Sequence, residues 1–156
     1  MASVKNAYGT ADQSVTITFN SLTCATARQS TVVDNSSNLY TDAIVQVDTK
    51  AGTSTPSSDK AVYVYVYATT GGTTYPEGLT GSDAAYSIKT PCNLKLAAVI
   101  CETTAAETLT VQFSLASCFG GLMPAKWGVV IYNVTGQALG STGNTVTYQG
   151  VYATVA

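Results

Sequence analysis

The chain has 156 residues, 46% of them hydrophobic and only 10% charged, with a formal net charge of −2 and no histidine. That length fits one domain whose core can fold without staples. Its seven basic residues are scattered from Lys5 to Lys126, which disfavours nucleic acid as a partner because phosphate-backbone binding needs clustered Lys and Arg.

The first 13 residues are small and polar with no sustained period, and read as an N-terminal arm. They hold one lysine and no apolar core, so a secretory signal is not expected. SVTITFN, residues 14–20, alternates cleanly, with Val15, Ile17 and Phe19 inward and Thr16 and Thr18 outward, as a half-buried strand requires. Residues 21–31 are ambiguous, with a short strand ending near Val33; Asp34-Asn35-Ser36-Ser37-Asn38 then marks a turn. AIVQVDT (43–49) is the next strand, and a Gly/Ser/Pro loop covers 51–60.

AVYVYVYA (61–68) is the strongest strand, with Val62, Val64 and Val66 on one face and Tyr63, Tyr65 and Tyr67 on the other. The loop from Thr69 to Asp83 is long enough to project. A weak strand over 85–89, a more buried one over 94–101 and a well-alternating one over 107–116 follow. A turn then leads to Trp127. The closing stretch, 127–152, reads as two strands joined by a polar, Gly-rich loop in a hairpin-like closure. Trp127, Val129 and Ile131 share one face, and Val146, Tyr148 and Tyr152 another. About eight strands with turn signals at short intervals, and no helix-period stripe, predict an all-β fold: a single jelly-roll-like β-sandwich or barrel over 14–156, preceded by the arm.

No apolar run approaches the ~18 residues of a membrane span, and no partner membrane is expected. Cys24, Cys92, Cys101 and Cys118 lack C-x-x-C spacing, and without histidine neither zinc nor any other cofactor is expected. The cysteines read as reduced and buried, with a Cys92–Cys101 bridge left open.

Candidate chemistry is sparse. The missing histidine excludes Ser-His-Asp and Cys-His arrangements. Ser57-Ser58-Asp59-Lys60 spells S-x-x-K, but in a loop leading to a strand, where the motif has no helix to work from. Glu77 with Asp83, or Glu102 with Glu107, could supply a glycosidase pair, yet sequence places no two carboxylates at the required separation. Asn35-Ser36-Ser37 and Asn133-Val134-Thr135 are glycosylation sequons by spelling alone. The reading is therefore not an enzyme. A surface so poor in charge has weak self-repulsion and is easily covered by a partner, so an assembled state is expected. The tyrosine row suits that role, since each ring is rigid and apolar with a polar tip; an equally simple reading buries it as one face of a central strand.

The closing KWGVVIYNVTGQALGSTGNTVTYQGVY, the opening MASVKNAYGT and the middle SSDKAVYVYVYATTGGTTYPEG resemble small virion proteins of tailed bacteriophages, in particular capsid decoration (cement) proteins. The resemblance implies a jelly-roll-like domain that forms a homotrimer, sits on the outside of the capsid against the major capsid protein and reinforces it without enzymatic activity. The candidate contact residues are then Tyr8 in the arm, Tyr63, Tyr65 and Tyr67 in the strand, and Tyr75 and Glu77 in the loop from Gly71 to Gly81. The alternative is a tail- or fibre-associated host-recognition module binding surface glycans, favoured if exposed tyrosines cluster beside a carboxylate such as Glu77. A small hydrolase survives only if two carboxylates converge in a cleft.

Overall fold

A computed structural model describes residues 3–155 as two antiparallel β-sheets packed face to face. The strands are β1 (Val4–Tyr8), β2 (Gln13–Ser14), β3 (Thr26–Gln29), β4 (Val33–Asp34), β5 (Asp42–Lys50), β6 (Ala61–Thr69), β7 (Ala84–Tyr86), β8 (Lys95–Cys101), β9 (Thr108–Ser114), β10 (Lys126–Asn133) and β11 (Thr145–Val155). The first sheet runs β1-β11-β5-β9, with β2 also on β11; the second runs β7-β3-β10-β6-β8, with β4 also on β10. The all-β sandwich expected from alternation is what the chain forms. It uses eleven strands among the described residues because several pairings are only two to four residues long.

Alternation along β5, β6, β10 and β11 sets the core. Ala43, Val45 and Val47 from the first sheet face Val62, Val64, Val66, Val129 and Ile131 from the second, all without measurable exposure. Burying each Val or Ile side chain contributes about 1.5–3 kcal/mol. Trp127 sits among them fully buried, with its ring edge-on to Tyr148 at 5.3 Å and 87°. The outer face of the first sheet is polar instead. Asp48 accepts hydrogen bonds from Thr110, Thr145 and Gln46, and Gln112 donates to Gln46, so the carboxylate is held low against the burial that pushes it up.

Several expectations change. The closing pair is not a hairpin: β10 belongs to the second sheet and β11 to the first, and residues 134–144 carry the chain across the gap. Two apolar faces that would share one side of a hairpin instead oppose each other across the core. Residues 1–13 are not a free arm over their described part, because β1 pairs with the end of β11 from Val4↔Val155 to Tyr8↔Val151. Tyr152 lies in that ribbon, partly exposed, and packs on Tyr40 rather than in the core.

The 14–20 stretch keeps the predicted alternation of burial but is strand only at its start, in β2, because its backbone bonds divide between the two sheets. Val15 N–H donates to Val146 on the first, and Thr16 C=O accepts from Thr31 beside the second. Segment 94–101 is largely exposed rather than buried, because β8 is an end strand; Ile100 is buried between the sheets with Ala97 and Ala98 half-buried beside it, and Leu94 is buried on the outer face. A four-residue helix, α1 (Leu115–Cys118), follows β9 where continued strand was expected, capped by the Ser114 hydroxyl. All four cysteines are free. None is fully buried, contrary to expectation, and Cys101 is exposed at the end of β8.

Glu102, just past β8, is fully buried with neither carboxylate oxygen hydrogen-bonded, beside a Thr49 hydroxyl that also lacks a partner. Burial pushes its pKa up, Thr49 opposes this slightly without good hydrogen-bonding geometry, and the nearby Glu107 carboxylate adds to the rise. A carboxyl whose folded pKa is raised contributes its full stability below the unfolded pKa and loses it as pH rises through the folded one. Glu102→Gln and wild type should therefore unfold alike near pH 4 and diverge above it. The variant should gain about 1.4 kcal/mol per pH unit across the gap between the two pKa values, read by urea unfolding at stepped pH. Trp127→Ala should cost about 3–5 kcal/mol in the same assay.

Candidate contact surface

The outward face of the second sheet carries the tyrosines. On β6 these are Tyr63, Tyr65 and Tyr67; opposite them on β10 stand Tyr132, Val130 and Gly128, in the register Tyr63↔Tyr132, Tyr65↔Val130 and Tyr67↔Gly128. On the other side of β6, β8 places Val99 against Tyr63 and Leu96 against Tyr65, with a register shift between them. Beyond β10, β3 places Ala27 against Tyr132, and β7 places Tyr86 against Ala27.

This face divides into a covered and an open half. In the covered half Tyr67 is 1% exposed; its ring lies over Gly128, where any Cβ would collide with it, and its hydroxyl donates to the Ser30 carbonyl at 2.8 Å. Burial drives that hydroxyl's pKa up to about 12. Leu79 and Leu94 close over it, and Tyr75 meets it edge-on at 6.0 Å while lying across Gly81, whose φ of +73° suits glycine.

Glu77 fastens the cover. Its Oε1 accepts the Asn93 N–H at 2.6 Å and its Oε2 the Tyr86 hydroxyl at 3.2 Å, from a single 3-10 turn at Pro76–Gly78. The loop expected to project has its one continuously exposed run at residues 70–74; its second half folds back on the sheet, with exposed and covered residues alternating. Asp83 closes it through Arg28 at 2.6 Å and the Thr18 hydroxyl, and burial that would raise the carboxyl is outweighed by those bonds.

In the open half, Tyr63 and Tyr65 are half-buried with centroids 6.3 Å apart, and Tyr132 stacks on Tyr63 at 6.3 Å and 25°. Leu96 and Val99 beside them are 53% and 42% exposed. The six contact residues named from sequence therefore separate. Tyr63 and Tyr65 lie together on the surface, Tyr67 is withdrawn into a second small core, and Tyr75 and Glu77 belong to its cover. Tyr8 stands exposed on the ribbon of the other sheet. Tyr132, Tyr86, Leu96 and Val99 went unnamed. Tyr132 was findable, being out of phase with Trp127 and Ile131, but its place beside Tyr63 depends on a pairing that no local pattern encodes.

Apart from the unpartnered Glu102, the other candidates have structural settings. Glu107 accepts the N–H groups of Thr103 and Thr104, and Ser57–Lys60 contains no helix. Both sequon asparagines are buried braces: Asn35 exchanges hydrogen bonds with the Tyr40 backbone, and Asn133 donates to Leu22 and Gln137. Among the described residues no three Cys, Asp or Glu side chains gather into a metal-binding group, and no helix is long and apolar enough to cross a membrane. No protein-family model matches the chain, and no curated protein is significantly similar to it.

Glu77→Ala removes two hydrogen bonds to a carboxylate and should cost about 1.5–3 kcal/mol for each one that is fully formed. In hydrogen exchange the Asn93 amide should lose protection before the β6 and β10 amides do.

Proposed function

We propose that the protein is a non-enzymatic structural component of a tailed-phage virion that decorates the capsid exterior, associating with itself as a trimer and with the major capsid protein. The observation that carries this reading is the open half of the tyrosine face. Leu96 and Val99 stand exposed on an end strand beside the half-buried Tyr63 and Tyr65. Contiguous exposed apolar side chains mark contact surfaces in soluble proteins, and end strands that carry them pair or aggregate unless covered.

The chemistry fits a lattice-binding role. A decoration protein needs many neutral contacts repeated over a symmetric surface, and Tyr with few charges supplies them at low entropic cost. The β1–β11 ribbon, with Val4 and Val155 74% and 70% exposed, adds a second neutral surface on the opposite sheet. Two surfaces on opposite sheets let one subunit touch both its own copies and the shell.

Co-sedimentation with capsids lacking the protein tests the reading. Wild type should pellet saturably with the shells and elute as a trimer in light scattering. Leu96→Glu/Val99→Glu should weaken one of these associations tenfold or more while leaving the unfolding midpoint nearly unchanged. A wild-type monomer that never pellets with shells contradicts the proposal.

A further inference from the structure

A trough of about 400 Å³ opens on the same sheet face beyond Tyr132, lined by Ala25, Thr26, Ala27, Tyr86, Ser87 and Ile88 among others. Its form follows from register. Tyr132, Ala27 and Tyr86 occupy one row across β10, β3 and β7 and point the same way. Adjacent strands lie about 4.8 Å apart, so the two tyrosines stand about 9.6 Å apart at their bases with only a methyl group between them. A ring stacked on both walls needs about 4.5 Å or a little more on each side. The alanine leaves a gap one ring thick.

We infer that this trough is a carbohydrate subsite, taking a neutral pyranose ring between Tyr86 and Tyr132. The apolar C–H faces of a sugar suit the two aromatic walls, and its hydroxyl rim suits what surrounds them. Tyr86 and Tyr132 carry their hydroxyls on this face, and none of the lining residues carries a charge. The Tyr86 hydroxyl donates to Glu77, which leaves its oxygen free to accept a further hydrogen bond. Tyr132 makes no side-chain hydrogen bond among the described residues, and Tyr63 stacks behind it and limits its swing. Arg28, the cation next to Ala27 in the chain, is held by Asp83. A proline-rich peptide also stacks on tyrosine, but it reads a succession of slots along its length, and this row provides one.

The inference does not depend on capsid decoration; a protein on a virion surface can hold a host glycan or not. The test is ¹⁵N chemical-shift mapping of the full chain with neutral hexose and N-acetylhexosamine trisaccharides, and with a polyproline peptide as a second probe. The expected result is saturable shifts for at least one saccharide, centred on Ala27, Tyr86 and Tyr132, with affinity reduced about tenfold in Tyr132→Ala and unchanged in Tyr8→Ala. Silence with every saccharide, shifts centred elsewhere, or a response to the peptide alone overturns it. Mapping on the wild type needs no variant to fold, and failure here leaves capsid co-sedimentation untouched.

Discussion

Everything in this fold depends on Trp127 meeting Tyr148 across the gap between the sheets. The two residues belong to strands that follow each other in the chain but lie in different sheets, so their edge-on contact fixes the sheets at one separation and one alignment. Around it the inward valines of β5 and β6 alternate with side chains that must therefore point out. On the first sheet the outward positions include Gln46, Asp48, Thr110, Gln112 and Thr145, which bond to one another. On the second they are tyrosines. The contact surface is thus a consequence of the core: with Val62, Val64 and Val66 inside, Tyr63, Tyr65 and Tyr67 have only the other face to occupy.

What becomes of three equivalent tyrosines is decided by their neighbours. Gly128 leaves a space that the Tyr67 ring fills, and the loop pinned by Glu77 then seals it. Tyr65 faces Val130 and Leu96, and Tyr63 faces Tyr132 and Val99, so neither gains such a seat. One face is thereby divided into a rigid buried half and an accessible half. The buried half backs the exposed rings and keeps them in place.

Strand positions and facing were legible in β5, β6, β9, the inward set of β10 and Val146 and Tyr148 of β11, which follow from period-two patterning; residues 15–20 alternate as cleanly without being a strand. Pairing was not. The Gly-rich loop after Asn133 looks local, yet it spans the sandwich, because a hairpin and a sheet-to-sheet crossing place identical demands on the two strands it joins. The role of β1 was hidden for a related reason: as a ribbon exposed on both faces it has no reason to alternate. Glu77 drew attention as a carboxylate beside tyrosines. It is one, but its oxygens are directed at Asn93 and Tyr86, a use that depends on contacts nine and sixteen residues away. Glu102 is noticed in the sequence only as half of a carboxylate pair with Glu107; its burial gives no signal there, since a lone buried carboxylate runs against the usual exposure of Glu.

Decoration of a capsid exterior, as proposed, is tested most directly by where the protein sits on the particle. Immunogold electron microscopy of purified phage particles, with an antibody against this protein, should show regular label over the head. Label confined to the tail, or virions without label from cells in which the protein is abundant, would contradict it.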